Sequence, residues 1–207
     1  GIGKSSTAEE LLSRTNICNI SFRSDYPLSP LHWMISDRRE SIVVEPLEDG
    51  LKIYQNPIGV FTNNPPFDYH MYHLRNYLNL THEEPTNRFA KQIDLAPYSR
   101  GMGAVGLPGD LSSSSRFVRA AFIKLNSKSN KSEEESVHQF FHILGAVEQQ
   151  RGCVKVDDSY EVTVYSSCCN TDKGVYYYKT YSNSQITAVH LFHEDLDCNK
   201  LVTYPLR

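Results

Sequence analysis

The order of local patterns predicts an α+β protein: a helix, several strands, two or three helices, then several more strands. Three observations carry this. Runs of β-branched and aromatic residues lie a few polar residues apart, as antiparallel hairpins require. Two central segments space their apolar residues at helical intervals. The two kinds of pattern come in blocks and do not alternate, which argues against a parallel doubly wound sheet. Thirteen tyrosines and ten prolines add a lean toward strands and structured loops.

The elements follow in order. Thr7 with Glu10 three residues on reads as a capping box ahead of Leu11 and Leu12. The G-K-S at Gly3-Lys4-Ser5 lacks the earlier glycine and the upstream strand of a phosphate-binding loop. Ile17, Ile20 and Phe22 begin the strand region, and the two prolines of Asp25-Tyr26-Pro27-Leu28-Ser29-Pro30 force a loop. Leu31–Ser36 and Ser41–Glu45 form a hairpin about the tip Asp37-Arg38-Arg39-Glu40, and Leu51–Tyr54 and Ile58–Thr62 extend the meander. Asn63-Asn64-Pro65-Pro66 ends it. A helix is predicted over Phe67–Tyr77, a loop-rich excursion over Thr81–Tyr98, and helices over Ser115–Leu125 and Val137–Gln149. The last third returns to strands at Tyr160–Ser166, Gly174–Thr180, Ile186–Leu191 and Leu201–Tyr204.

After the excursion comes a glycine-rich stretch, Pro97 to Phe122, which runs through a Pro108-Gly109-Asp110 turn into four serines and Arg116 at the start of the second helix. Gly101-Met102-Gly103-Ala104-Val105-Gly106 fits G-x-G-x-x-G, but a dinucleotide site needs a helix to start directly after the glycines and a strand to lead into them. Pro108 and Gly109 break the chain, so the match is set aside. A glycine-lined turn that delivers an arginine at a helix start resembles part of a site.

With 207 residues the chain is long enough for one sizeable domain or part of a larger one. A net charge of -3 gives no basic patch for nucleic acid. No window is apolar enough to span a membrane and nothing at the start reads as a signal peptide, which together point to a cytoplasmic protein. Five cysteines (Cys18, Cys153, Cys168, Cys169 and Cys198), with no C-x-x-C pair, form neither a disulfide framework nor a zinc site. Cys168 and Cys169 are expected to be buried small apolar residues.

Candidate chemistry is sparse. The histidine pairs His70/His73, His138/His142 and His190/His193 have no third ligand at a telling spacing, so they read as surface or core-edge residues. Glu133-Glu134-Glu135 suits a helix N-terminus. Glu45 and Asp68 have no sequence reason to meet. Tyr176-Tyr177-Tyr178 reads as a strand packing both faces. What remains is Asn63, whose amide N–H groups can face a developing oxyanion, and Arg116, which beside a thiol favours the thiolate. The plain alternative is an Asn-Pro turn and a helix-surface arginine.

The runs SPLHWMISD, SIVVE, GVFTNNPPFDYH, YSRGMGAVGLPGDLSSSSRFVRAAF, FFHILGAVEQQRG, YSSCCN, GVYYYKTYSNSQI and TYPLR together resemble the conjugated bile salt hydrolases of the choloylglycine hydrolase and penicillin V acylase family. The resemblance runs from Thr7 to Arg207. It implies an N-terminal nucleophile hydrolase, an αββα sandwich of two mainly antiparallel sheets between helix layers. It also implies a cysteine nucleophile whose own α-amino group moves the proton. The substrates implied are glycine- or taurine-conjugated bile salts such as glycocholate and taurocholate, with no metal or organic cofactor. A bacterial cytoplasmic homotetramer is implied as the assembly, with no nucleic-acid or membrane partner. Residue by residue, Asn63 matches the family's oxyanion asparagine and Arg116 its arginine near the nucleophile. Phe22 and Tyr26 fall where members line the steroid pocket.

The family's nucleophile sits in an N-terminal segment, whereas this chain opens on what matches a helix inside the fold, and none of its five cysteines stands at the nucleophile position. The expectation is therefore residues 1–207 as the C-terminal two thirds of one domain, inactive alone and with an unpaired sheet edge. The alternatives are an acylase preferring penicillin V, or a truncated homologue that binds bile salts without turning them over.

Overall fold

The computed structural model describes residues 31–204. The expected capping box at Thr7, the strand beginning at Ile17 and the loop through Tyr26 lie outside the described residues. The chain divides into two compact units, one ending at Ala121 and the other beginning at Phe122.

In the first unit, β1 (Trp33–Ser36), β2 (Ser41–Leu47) and β3 (Gly50–Gln55) form an antiparallel sheet in the order β1-β2-β3. The Asp37–Glu40 tip closes because the Asp37 carboxylate accepts from the backbone N–H groups of Arg39 and Glu40 at 2.6 and 2.9 Å. This pairs Trp33 with Val44 and Ile35 with Ile42, and period two then places all four on one face, where they pack together. Val43 pairs with Tyr54 on the opposite face. That face meets the helices: Tyr54 lies 5.9 Å from Phe67, which opens α1 (Phe67–His73).

The strand predicted over Ile58–Thr62 does not form. Asn56, buried, takes the bonds a ladder would use: its Oδ1 accepts from Gly59 N at 2.8 Å and its Nδ2 donates to Val60 O at 3.0 Å. The chain turns there and runs on toward α1, which tightens into a 3-10 segment, Leu74–Tyr77. The excursion after it has no regular structure. Its glycines serve close approach: a Cβ on Gly103 would stand 2.3 Å from His82 O, and Gly106 holds φ +96°. No helix begins after Gly106; the next one, α2 (Ser113–Asn126), starts only past the Pro108 turn, so the dinucleotide match has no structural counterpart. Phe67 and Phe117 meet edge to face at 6.1 Å and are essentially unexposed, joining α1 and α2 in one core.

In the second unit α3 (Glu133–Gly145) begins four residues before the predicted start. Ser132 caps it by accepting from Glu135 N at 3.2 Å, and the acidic first turn suits the helix dipole as expected. A short hairpin, β4 (Val154–Val156) with β5 (Ser159–Glu161), precedes the sheet β6 (Tyr165–Asn170), β7 (Val175–Thr180) and β8 (Thr187–His190). The strand expected over Tyr160–Ser166 is thus split between two sheets: Thr163 N donates to Gln149 O, outside any ladder, at 3.0 Å. Leu201–Tyr204, also expected as a strand, joins no sheet among the described residues. Glu133 joins α3 to the β6–β7 hairpin, accepting from Lys173 Nζ and Asn170 Nδ2 at 2.5 Å each and from Tyr177 Oη at 2.9 Å. Tyr176 and Tyr178 share one face of β7, their rings 6.2 Å apart, with Tyr178 buried and Tyr176 exposed, while Tyr177 on the other face is half-buried against Glu133, which fits a strand packing on both faces. Cys168 is only half-buried and Cys169 is exposed, so the expectation of two buried thiols is corrected: β6 turns Cys169 away from α3 and into solvent.

Candidate active site

Two segments of the first unit converge on Asn63. The first is the turn set up by Asn56. It delivers Phe61 against the His32 ring at 4.2 Å and leads through Thr62 to Asn63, ahead of a cis Asn64-Pro65 peptide. Beyond the prolines, Phe67 N donates to Glu45 Oε2 at 2.9 Å. Glu45 is buried in β2, so the start of α1 is fastened to the sheet by a charge-assisted bond. Asp68 is exposed and accepts from Tyr69 N at 2.8 Å, so each of these carboxylates serves α1.

The second segment is the N-terminus of α2. Ser112 Oγ accepts from Ser115 N at 3.3 Å in the manner of a helix cap. Asp110 accepts from Ser112 N at 3.0 Å and from Ser115 Oγ at 2.6 Å. These bonds from Ser112 and Ser115 pull the Asp110 carboxyl down to about 2. Arg119, buried on the helix, donates to Pro108 O at 2.7 Å and to Asp110 O at 2.8 Å, closing the proline turn onto α2. The four serines and the turn before them therefore form one rigid launch for the first helical turn.

Arg116 projects from that turn. Its Nε donates to Leu111 O at 3.1 Å and its Nη2 to Asn63 Oδ1 at 2.7 Å. The two residues singled out in the sequence, 53 positions apart, are in direct contact. An amide has one acceptor and one donor end. With Oδ1 held by a guanidinium, the Nδ2 end is turned the other way, and among the described residues no acceptor engages it. Asn63 is exposed, so those N–H groups are available to a ligand oxygen. The site is a fixed donor of hydrogen bonds backed by a positive charge, which suits a carbonyl gaining negative charge.

The other sequence candidates fall elsewhere. Phe22, Tyr26 and Cys18 lie outside the described residues. Burial pushes the Cys168 thiol up, the reverse of what an activated nucleophile requires. Cys153 and Cys198 are exposed. His138, His142, His190 and His193 are also exposed, and no group of three or more metal-ligating side chains occurs among the described residues. His70 departs from the surface or core-edge reading: it is wholly buried behind Asn63, stacked on Phe117 at 4.6 Å. No signal in the sequence set it apart from the other histidines, because its burial depends on the contact between α1 and α2.

Residues 3–204 match the family model described as linear amide C–N hydrolases, choloylglycine hydrolase family. The chain is 58% identical over 210 residues to a bile salt hydrolase/transferase of Lactiplantibacillus plantarum, covering all of this chain and 65% of that protein. It is 40% identical over 198 residues to a bile salt hydrolase/transferase of Clostridium perfringens, covering 95% of this chain and 60% of that one. The chain thus spans somewhat under two thirds of the length of these relatives. A solved conjugated bile acid hydrolase from Clostridium perfringens superposes with a TM-score of 0.86 at 37% identity, over 99% of this chain and 64% of that structure. The α+β, N-terminal nucleophile hydrolase fold expected from the sequence is therefore the one observed. With its fold and nearly its whole length accounted for, this chain belongs to the choloylglycine hydrolase family of linear amide C–N hydrolases.

Proposed function

We propose that the protein hydrolyses the amide bond joining glycine or taurine to a bile acid. The observation that carries this is the 2.7 Å bond from Arg116 Nη2 to Asn63 Oδ1, which leaves the Asn63 amide N–H groups for the scissile carbonyl. When a thiolate adds to that carbonyl, its C=O π pair moves onto oxygen as an oxyanion. A preorganised donor stabilises that charge more than it stabilises the ground-state carbonyl, which is the condition for catalysis. The C–N bond then breaks as the amine leaves with a proton, giving an acyl-thioester. Water hydrolyses the thioester, releasing the bile acid and regenerating the thiol. The resemblance assigns the attack to an N-terminal cysteine and the proton to its α-amino group. Arg116 favours the thiolate by its charge and fixes Asn63 by its geometry.

Bile salts are proposed as substrates because the relatives at 58% and 40% identity are named bile salt hydrolases. A homotetramer in a bacterial cytoplasm is the assembly proposed with it. The substrate test is kcat/KM on glycocholate, taurocholate and penicillin V, measured on the product of the complete reading frame. A preference of tenfold or more for the bile salts is expected. Faster turnover of penicillin V would overturn the substrate assignment and leave the amide chemistry intact.

A further inference from the structure

An oxyanion donor must be held in place as well as present, since a misplacement of about 1 Å can cost a hundredfold in rate. Arg116 holds only the side chain of Asn63. The backbone of Asn63 is held separately, through its carbonyl oxygen. His70 Nε2 lies 2.9 Å from Asn63 O, and Ser113 Oγ donates to the same oxygen at 2.7 Å. Thr62 Oγ1 donates to Ser113 O at 3.2 Å, so both Thr62 and Asn63 are tied to Ser113 at the start of α2.

The proton positions follow from chemistry. A carbonyl oxygen has no hydrogen to give, so His70 Nε2 must carry the hydrogen that lies between them. A neutral imidazole of that tautomer leaves Nδ1 as a bare acceptor. His70 Nδ1 is buried and has no hydrogen-bond partner among the described residues. A second proton there would place a cation in the core beside Phe117, whose ring stacks on the imidazole with an interplanar angle of 13°. Burial accordingly lowers the pKa of His70. The charged and titratable groups around it are Glu45 on β2, His32 ahead of β1 and His73 on α1, and none of them is hydrogen-bonded to Nδ1. Nε2, by contrast, faces Asn63 O at 2.9 Å and, more distantly, Thr62 Oγ1 at 3.4 Å.

We propose that His70 is a positioning residue: its buried Nε2–H, donated to the carbonyl of Asn63, sets the direction in which the Asn63 amide points. The proposal rests on the reading of Asn63 as the oxyanion donor. His70 touches no reacting atom and moves no proton.

The test uses the product of the complete reading frame. His70→Phe keeps an aromatic ring against Phe117 and removes the donor, whereas His70→Gln keeps an N–H of similar reach. His70→Phe is expected to lower kcat on glycocholate ten- to a hundredfold with KM within about twofold. His70→Gln is expected to recover most of that loss, a pattern that general destabilisation does not produce. Unchanged kcat in His70→Phe, or equal losses in both variants, overturns the proposal. Asn63→Ala run in parallel tests the underlying reading, which fails if that variant retains its rate whatever His70 does. Two further readouts need no turnover. Amide hydrogen exchange over residues 60–66 is expected to speed up in His70→Phe and not in His70→Gln; equal exchange counts against the proposal. If His70→Phe does not fold, nitrogen-15 histidine spectra of the unmutated protein decide. The Nε2–H tautomer is expected, and an Nδ1–H tautomer overturns the assignment.

Discussion

Arg116 does two things that a lysine cannot do together. Its Nε holds Leu111 O and its Nη2 holds Asn63 Oδ1, so the guanidinium is located by its own helix before it locates the asparagine. Arg116→Lys keeps the charge and loses the fork. The expected result is a kcat lower by about tenfold or more with a thermal midpoint within a few degrees of the original, read by steady-state kinetics and thermal unfolding. An unchanged kcat would mean that charge alone is required. At this scale the sequence is informative where a residue type is unusual for its place: an asparagine before two prolines, an arginine at a serine-rich helix start. His70 has no such mark. Its i, i+3 partner His73 is half-exposed, and only the stacking of Phe117 from a distant helix separates the two.

At the scale of the element, the start of α2 decides where Arg116 stands. Asp110, Ser112 and Ser115 bond to one another there, and the carboxyl of Asp110 is brought from 3.8 to about 2. The folded state therefore prefers the carboxylate, and its contribution is fully present above the ordinary value. That contribution is lost as pH falls from 3.8 through about 2. Asp110→Asn should lower the thermal midpoint at pH 7, and the difference from the unmutated protein should shrink steadily below about pH 4. A gap that persists unchanged to pH 2.5 would mean that the carboxylate's charge does not contribute. The hairpin of β1 and β2 was readable because its tip carries Asp37, a residue whose side chain makes the turn. The failed strand after Pro57 was not readable, because Asn56 there is buried and turns its amide on the backbone ahead. In both, a short polar side chain bonds the local backbone, at Asp37 closing a hairpin and at Asn56 taking the place of a ladder.

At the scale of the molecule, the α+β order was legible from blocks of period two and period 3.6, because each block buries one face. Tyr160–Ser166 and Leu201–Tyr204 misled because an alternating pattern shows that a strand is possible but not which sheet receives it. The candidate site was legible as two residues; their contact was not, since 53 positions separate them and only the packing of α1 against α2 closes the gap. The central claim is that Asn63 and Arg116 act as one unit in an amide hydrolase. Its most direct test is a double-mutant cycle of Asn63→Ala and Arg116→Ala, reading kcat on glycocholate with the product of the complete reading frame. Each single variant should lose about a hundredfold or more, and the double variant should be about as slow as the slower single. Losses that multiply in the double variant would show two independent residues and contradict the account.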